Sequence, residues 1–466
     1  MKKIRIAVLV LFFAIILIPV AAFNREENVV SEIDNRALMN NPFGENYNTE
    51  GEDRDLTDDL ETYVQDRIGF RDDMILGYTL LNDKLFHKMV HPTYDYGKDG
   101  YVFFKTGRNT RFGEFHYAFA QFIKKVQDYC DERGVPFVFV FNPAKTTVLS
   151  DELREGINYD AEWVQQFLEC LDELGVNYID NTPLMEEKTE EGEAVYNKVY
   201  NAGHWNDLGA FYGCNAILEY FTQFFPDLHI NSKEDFTIEE HLNTSLMVSE
   251  FPIYEYEPVF EPIDQVENIA DQYVDELEMD SQYRTFAYYL NPKRISEGAP
   301  KVLSFQGSYM NGMGYKFLEN SFGEYIVVHD YQNTLNLDYY FNIFQPDCVI
   351  FETAEYTLTS GYYNLENMVE VSFNEGLSEE SYSEARSEQM PANMIEFVQG
   401  NRLTEIHVSG LPENTRYAYV SNGSQIFDLI RDESSYTATV EKANVDENEI
   451  QIIVILDTGE RICYTE

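Results

Sequence analysis

The sequence predicts an α/β fold: a doubly wound, mostly parallel sheet with helices on both faces, plus an apolar N-terminal helix and a small C-terminal all-β module. Between residues 97 and 375, short apolar segments alternate with amphipathic helical segments, a pattern typical of parallel sheets. The first 23 residues contain a long uncharged run. After residue 401, apolar residues recur with a period of two, which indicates antiparallel strands.

The N-terminal segment predicts a membrane helix. Lys2, Lys3 and Arg5 precede an uncharged run from Ile6 to Phe23, which as a helix measures about 27 Å and nearly matches a bilayer core. The basic residues lie before the run, so the rest of the chain is expected outside the cytoplasm. A cleaved signal peptide, which would give a secreted protein, and a retained single-pass anchor in the cell membrane both fit this pattern. The weak cleavage site at residues 20–22 favours the anchor.

Composition shifts divide the remaining chain into modules. We predict an anchor helix (1–27), a spacer with N-terminal helices (28–96), an α/β domain (97–375) with an irregular acidic insertion (about 225–299), a linker (376–400) and a β-rich module (401–466).

Within the α/β domain, strands and helices can be assigned in order. A long helix is predicted from about Phe112 to Arg133, closed by Gly134. The buried strand "VPFVFVFN" follows, then the helix "DAEWVQQFLECLDELG" and a helix from Asn206 to about Phe224. The apolar segments "KVLSF" and "CVIF" predict two further strands.

The charge balance limits the possible ligands. The chain has 466 residues, of which 82 are acidic and 33 basic, and its formal net charge is −49. Such a surface repels nucleic acid and anionic lipid, so we predict no nucleic-acid partner. The five cysteines show no C-x-x-C spacing and the acids no EF-hand spacing, so we predict neither a metal site nor a cofactor.

Two residues at predicted strand and helix ends could perform nucleophilic chemistry. Ser308 follows an apolar strand and precedes a helix, where free backbone N–H groups can stabilise an oxyanion. His204 begins another helix and could take the serine proton. Taken singly, Ser308 could equally be a helix N-cap, and His204 a structural histidine beside Trp205. We expect the two side chains to meet at the carboxyl edge of the sheet, within hydrogen-bonding distance.

Seven motifs in order resemble one family. They are "DNRALMNNP" (34–42), "YVQDRIGFRD" (63–72), "GKDGYVFF" (97–104), "NPAK" (142–145), "GHWNDLGA" (203–210), "VLSFQGSYMNG" (302–312) and "QPDCVIFETAEYTL" (345–358). Together they resemble the SGNH-hydrolase-like domain of the alginate-acetylation proteins AlgX and AlgJ, and the related DHHW proteins. The resemblance covers roughly residues 30 to 375.

The resemblance implies an extracytoplasmic O-acetyltransferase acting on a secreted polysaccharide. Ser308 would carry the acetyl group, His204 would be the base, and a membrane-bound O-acyltransferase would supply acetyl groups. A carbohydrate acetylesterase is one alternative. The other is a catalytically degenerate member that binds polysaccharide or scaffolds an exopolysaccharide acetylation or export complex.

Two departures from the family pattern concern the acids of the site. The family's Asp-x-His-Trp is here Ala202-Gly203-His204-Trp205, and its Gly-Asp-Ser is Gln306-Gly307-Ser308. The acid that would orient His204 is therefore missing. Asn201 or a backbone carbonyl is left to accept the imidazole proton, or one of three acids could substitute; these are Asp207, Glu352 and Glu355. Each of the three could also be an ordinary surface acid.

The remaining candidate residues follow from the same match. We expect oxyanion or supporting roles for Gly307, Tyr309, Asn311 and Trp205. The Pro-x-Lys pattern places Lys145, with Asn142, where it could hold a sugar or orient a loop; an exposed salt-bridge lysine is the alternative.

Overall fold

The computed structural model describes most of the chain. The described residues are 2–31, 33, 36–44, 56–105, 110–157, 159–247, 249–377, 385–423, 425–432, 435–445 and 449–465, without the side chains of residues 36 and 432. The start of the first family motif (34–35), part of the predicted spacer (45–55) and the middle of the predicted linker (378–384) lie outside these ranges.

The N-terminal region consists of an apolar helix and a helical corner. Helix α1 (Lys2–Ala21) is, among the described residues, the one helix long and apolar enough to cross a membrane, a test that a signal sequence would also pass. Two short antiparallel strands follow, β1 (Val30–Ser31) and β2 (Arg36–Ala37). Helices α2 (Leu56–Arg67) and α3 (Arg71–Phe86) form a corner at residues 68–70. A small hairpin, β3 (Tyr94–Tyr96) and β4 (Val102–Phe104), leads into the main domain.

A seven-stranded sheet forms the centre of the protein. In spatial order its strands are β6 (Tyr178–Asp180), β5 (Phe137–Asn142), β13 (Cys348–Ala354), β11 (Lys301–Gln306), β12 (Glu324–His329), β10 (Phe286–Leu290) and β9 (Glu267–Asn268). The first five are parallel, and β10 and β9 add antiparallel pairs at one edge. The predicted doubly wound α/β sheet is therefore confirmed.

Helices cover both faces of this sheet because its strands are apolar on both sides. All six residues of β5 are buried: Phe139 packs into the core cluster on one face and Val138 into that on the other. The helices of the domain are α4 (Glu114–Asp131), α5 (Lys145–Val148), α6 (Glu162–Leu174), α7 (Thr182–Glu190), α8 (Asp207–Phe221), α9 (Pro292–Glu297), α10 (Tyr315–Glu319), α11 (Leu337–Phe344) and α12 (Leu365–Glu370).

The segment predicted as an irregular insertion is more ordered than expected. Residues 225–299 contain a long antiparallel hairpin, β7 (Phe236–Ser245) with β8 (Pro252–Pro262), followed by β9 and β10 of the central sheet. Residues along β8 alternate between more and less exposed, a period of two that its prolines and glutamates obscured in the sequence. The expectation of irregular structure was wrong here.

The C-terminal module is a sandwich of two sheets. One contains β14 (Arg386–Gln389), β22 (Arg461–Thr465), β21 (Gln451–Leu456), β17 (Thr415–Ser421) and β18 (Ile426–Asp428). The other contains β15 (Ile395–Gln399), β16 (Leu403–Val408), β20 (Ser435–Glu441) and β19 (Ile430–Asp432). Strands β14 and β15 lie in the segment predicted as a linker, which corrects that expectation. Strand β14 pairs with β22, and β15 pairs with β16. The polar sequence of β14 alone did not indicate a strand.

Candidate active site

Ser308 and His204 meet at the carboxyl edge of the central sheet. Strand β11 ends at Gln306, and Ser308 begins the helical segment that follows. His204 lies in the loop before α8, whose first turn is capped by the side chain of Asn206. Ser308 Oγ is 2.7 Å from His204 Nε2, so the structure brings the two groups into hydrogen-bonding contact, as expected.

The side-chain oxygen of Asn201 accepts a hydrogen bond from the other nitrogen of the imidazole. Its Oδ1 lies 3.3 Å from His204 Nδ1 and accepts the backbone N–H groups of Gly203 at 3.2 Å and His204 at 2.9 Å. Because backbone N–H groups can only donate, the atom facing the ring is the amide oxygen. The imidazole proton therefore resides on Nδ1, and the Nε2 lone pair faces Ser308.

Burial keeps His204 neutral. Desolvation lowers the pKa of its imidazole to about 4, and among the described residues no carboxylate contacts the ring to offset this. At neutral pH His204 is therefore a free base that can accept a proton. The imidazolium formed by that transfer receives no charge stabilisation from Asn201, in contrast to a serine hydrolase with an orienting aspartate.

Tyr356 is a third member of the site that the sequence analysis did not identify. It lies just after the carboxyl end of β13, and its hydroxyl is 2.7 Å from Ser308 Oγ and 2.9 Å from His204 Nε2. With Nε2 unprotonated, the Ser308 proton is directed to the imidazole, and the Tyr356 proton can be donated to Ser308 Oγ. A signal existed: the residue directly follows a buried strand parallel to β11, and such strand ends share one edge of the sheet.

Neither Asp207 nor Glu355, two possible substitutes for the missing aspartate, contacts His204. Asp207 Oδ2 accepts hydrogen bonds from the backbone N–H of Phe260 at 2.9 Å and from Lys316 Nζ at 2.8 Å. Glu355 accepts from the Ala144 backbone, the Thr147 hydroxyl and the Tyr159 hydroxyl. Both acids are buried structural groups, so neither the substitute role nor a surface position was correct.

The sequence of the surrounding region matches a known domain family. Residues 95–287, about two-fifths of the chain, match the model of the SGNH hydrolase-like domain of the acetyltransferase AlgX. This region is an SGNH hydrolase-like domain. The match contains His204 and ends before Ser308. The resemblance proposed from the seven motifs is thereby confirmed.

Several solved structures are similar to the chain. Bacillus cereus PatB1 is 18% identical with a TM-score of 0.43, over 56% of this chain and 96% of that protein. The O-acetyltransferase domain of Pseudomonas putida AlgJ is 16% identical with a TM-score of 0.41, over 60% and 99%. A DHHW family protein from Eubacterium siraeum is 14% identical with a TM-score of 0.40, over 61% and 100%. No curated protein matches the chain significantly.

Glu352 holds the turn before the candidate nucleophile. Its Oε2 accepts the backbone N–H of Gly307 at 2.8 Å, and its Oε1 accepts the side-chain amide of Asn142 at 2.7 Å. Burial, together with the nearby Asp330, raises the pKa of Glu352 to about 8. Glu352 therefore positions the Gly307–Ser308 turn rather than His204. Asn142, predicted to contact substrate, is fully buried in this network, so that expectation was wrong.

Lys145 supports the histidine loop from inside the domain. Its side chain is fully buried, and Nζ donates to the backbone carbonyls of Val102, Lys198 and Asn201 at 2.8, 3.2 and 2.9 Å. Burial lowers the pKa of the ammonium to about 7. The alternative of an exposed salt bridge was wrong, whereas the suggestion that Lys145 orients a loop agrees with its bond to Asn201. Lys145 is also among the residues that line the cavity beside the His204 loop, so its contact with a sugar stays a prediction.

The other predicted supporting residues have structural contacts. The Tyr309 hydroxyl bonds to the carbonyls of Gly203 and Pro143 at 2.7 and 2.8 Å, and Trp205 Nε1 donates to the Tyr309 carbonyl at 3.2 Å. Asn311 exchanges hydrogen bonds with Gln306. The Gly307 N–H is already bound to Glu352 and the Tyr309 hydroxyl to two carbonyls, so neither of these two groups is directed to an oxyanion beside Ser308. Tyr356 is the side chain with a hydroxyl there.

A cavity of about 420 Å³ lies beside the His204 loop. Gly203 and Tyr356 line it next to the Ser308–His204 pair, and aromatic rings form much of the remaining wall. Those rings belong to Phe104, Tyr159 and Trp163. A cavity of this size and lining suits a small group or one sugar ring. In the described part of the chain, no group of three His, Cys, Asp or Glu side chains could hold a metal ion.

Proposed function

We propose that the protein is a membrane-anchored, extracytoplasmic polysaccharide O-acetyltransferase. The contact between Ser308 Oγ and His204 Nε2 at 2.7 Å supports this proposal most directly, since it is the geometry of a serine nucleophile with its general base. The match of residues 95–287 to the model of an acetyltransferase domain supports acetyl as the group that is transferred. Helix α1 supports the anchor.

In the first half-reaction, Ser308 Oγ attacks the carbonyl carbon of an acetyl donor. His204 Nε2 takes the hydroxyl proton as the new C–O bond forms, and Tyr356 donates its hydroxyl proton in a hydrogen bond to the developing oxyanion. The bond from the acetyl carbon to the donor then breaks. His204 returns the proton to the leaving group, which leaves an acetyl ester on Ser308. A membrane-bound O-acyltransferase is the proposed source of acetyl groups.

The second half-reaction reverses these roles. A sugar hydroxyl loses its proton to His204 as its oxygen attacks the Ser308 ester. The Ser308–acetyl bond breaks, and His204 reprotonates Ser308 Oγ. If water takes the place of the sugar hydroxyl, the same site is a carbohydrate acetylesterase.

Asn201 favours a second candidate function. A neutral amide at the position that orients His204 holds the tautomer but supplies no negative charge to the imidazolium, so the base is weaker than one paired with a carboxylate. A family member with so weak a base would serve as a polysaccharide-binding or scaffolding component of an acetylation or export complex.

Acetyl-enzyme formation tests these alternatives. The full-length protein in detergent is incubated with 4-nitrophenyl acetate, and nitrophenol release and protein mass are followed. We expect one acetyl group on Ser308 in the wild type and none in Ser308→Ala. Ser296→Ala, at an exposed serine on α9, is the matched control and should behave as the wild type.

The products then separate the functions. Acetyl transfer to an added oligosaccharide supports the transferase, and release of acetate alone supports the esterase. If the wild type and Ser308→Ala both remain unacetylated while the protein still binds the glycan, the scaffold is correct and the enzyme proposal is wrong.

A further inference from the structure

Helix α3 has two opposite apolar faces. On its inner face Leu76 and Leu80 pack against a buried cluster of the domain that includes Phe251 and Ala202. On its outer face Met74, Tyr78, Leu81 and Leu85 are 45%, 61%, 55% and 63% exposed. Their spacing of four, three and four residues places them on one continuous stripe, on the side of the helix that faces away from the domain.

Two large exposed aromatic residues extend this stripe at its ends. Phe70 directly precedes α3 and Phe86 is its last residue; they are 53% and 70% exposed. Phe70 adopts a left-handed conformation with a φ of 60°, which is unfavourable for a bulky residue. We refer to Phe70, Met74, Tyr78, Leu81, Leu85 and Phe86 together as the α3 stripe.

The α3 stripe begins where the apolar helix α1 ends. The backbone N–H of Gly69 donates to the carbonyl of Pro19 at 3.0 Å, and Asn24 N–H donates to the carbonyl of Arg67 at 2.7 Å. A Cβ atom on Gly69 would lie 2.4 Å from the Ala22 carbonyl oxygen, so glycine permits this close approach. The corner between α2 and α3 therefore sits directly on the outer end of α1.

Buried Arg67 fixes that corner. Its guanidinium donates to the carbonyls of Glu26, Leu38 and Met39 at 2.6, 3.2 and 2.8 Å, and the rings of Phe23 and Tyr63 pack edge to face with centroids 5.4 Å apart. The start of α3 is thus held by hydrogen bonds and ring packing to the segment that leaves the apolar helix.

We propose that the α3 stripe is a membrane-contact surface, lying in the headgroup–acyl boundary of the outer face of the bilayer that α1 spans. The proposal rests on the anchored form of the proposed function. If α1 spans the bilayer, Gly69 and Phe70 lie at the membrane–water interface, where exposed aromatic side chains are favoured. Burying the apolar side chains of an amphipathic helix there is favourable, and attachment to α1 makes the contact intramolecular.

The net charge of the chain indicates what the α3 stripe can contact. A net charge of −49 repels both anionic lipid and a second copy of the chain. One stripe on a single 16-residue helix also offers less area than the roughly 800 Å² per partner of a typical stable interface. The contact is therefore apolar, to zwitterionic lipid, and needs no anionic headgroup.

This contact would orient the active site. The inner face of α3 packs on the cluster containing Ala202, two residues before His204. A stripe held in the interface would thus keep the His204 loop close to the membrane. The proposed membrane-bound O-acyltransferase would deliver acetyl groups there.

Depth-dependent fluorescence quenching in nanodiscs tests the proposal. Full-length Leu81→Cys, labelled with an environment-sensitive fluorophore, is placed in phosphatidylcholine nanodiscs with or without doxyl-labelled lipid. The five native cysteines are buried, so labelling is directed to the new thiol. Val398→Cys, at an exposed apolar position of the β module, is the matched control, and Leu9→Cys in α1 reports on the anchor. We expect the doxyl lipid to quench the fluorescence at positions 81 and 9, whose side chains lie in lipid, and to leave position 398 unchanged.

Each other outcome is decisive. Quenching at 9 with none at 81 overturns the membrane contact and leaves the anchor intact. Quenching at neither position rejects the anchor, and the membrane contact with it. Disulfide cross-linking between copies of unlabelled Leu81→Cys under a mild oxidant, without lipid quenching of the labelled protein, identifies a second copy of the chain as the occupant and overturns the proposal. Labelled Leu85→Cys repeats the measurement on the same stripe, and an unchanged thermal unfolding curve verifies that each variant is folded.

Discussion

The side-chain oxygen of Asn201 lies 3.3 Å from His204 Nδ1 and also accepts the backbone N–H groups of Gly203 and His204. One neutral group thus sets both the shape of the histidine loop and the tautomer of the imidazole. It performs the orienting part of the role of a catalytic aspartate without the electrostatic part.

Asn201→Asp should add the electrostatic part. The two carboxylate oxygens of the aspartate can accept the same three hydrogen bonds, from the backbone N–H groups of Gly203 and His204 and from Nδ1–H. The negative charge stabilises the imidazolium. We expect the pKa of His204 to rise above its value of about 4 and acetyl-enzyme formation to accelerate about tenfold or more. Histidine NMR titration and stopped-flow acylation measure the two effects. Asn201→Ala, which removes the acceptor, should slow acylation. An unchanged His204 titration in Asn201→Asp would contradict the assigned contact.

The acid limb of the activity profile should lie near pH 4. His204 must be neutral to accept the serine proton, and burial lowers its pKa from 6.5 to about 4. The kcat/KM for acetyl-ester cleavage should therefore stay constant between pH 7 and 5. An enzyme with an unperturbed histidine would lose activity over this range. Samples returned to pH 7 after each measurement control for acid unfolding. An acid limb centred at 6.5 would show that His204 is solvated.

The same shift has a consequence for stability. Between pH 6.5 and about 4 the unfolded chain binds a proton at His204 that the folded protein does not, so this residue makes the folded state less stable as the pH falls through that window. His204→Gln should show a shallower loss of unfolding free energy between pH 6.5 and 4.5 than the wild type, measured by urea titration. Equal slopes would disprove the buried neutral imidazole.

Tyr356→Phe should slow acylation while leaving the fold intact. The change removes a hydroxyl that lies 2.7 Å from Ser308 Oγ and keeps the ring. Loss of one oxyanion donor lowers turnover by about 10²–10³, and we expect an effect in that range. Burst kinetics with 4-nitrophenyl acetate measure acylation directly. Tyr362→Phe, a nearby tyrosine that bonds to neither Ser308 nor His204 through its hydroxyl, is the control. A burst rate equal to that of the control would assign Tyr356 a purely structural contact.

Lys145→Met should destabilise the protein and disturb the site together. The substitution removes the ammonium from three backbone carbonyls: that of Lys198 still accepts the Val102 N–H, whereas the buried bonds to the carbonyls of Val102 and Asn201 are lost. Unpaired buried polar groups cost about 1–3 kcal/mol each, and with partial relaxation we expect a total loss of about 2–4 kcal/mol. Urea unfolding measures it, and Lys233→Met, at an exposed lysine, should cost far less. A loss no larger than that of Lys233→Met would mean that other donors replace the ammonium.

The sequence by itself determined the features that depend on neighbouring residues. The apolar strand "FVFVFN", the helix after Asn206 and the position of Ser308 directly after β11 all follow from periodicity and from residues adjacent along the chain. Their order gave the parallel α/β sheet and placed Ser308 and His204 at one edge, because the carboxyl ends of parallel strands lie together.

Only the tertiary structure decided which groups face each other. Tyr356 reaches Ser308 and His204 across 48 and 152 residues, and strand β14 exists because β22, at the other end of the module, pairs with it. Lys145, Asp207 and Glu355 are polar in the sequence and buried in the fold, because backbone and side-chain groups that the fold brings beside them satisfy their hydrogen bonds. Such contacts depend on the register between elements that are far apart in the chain, which local patterns do not encode.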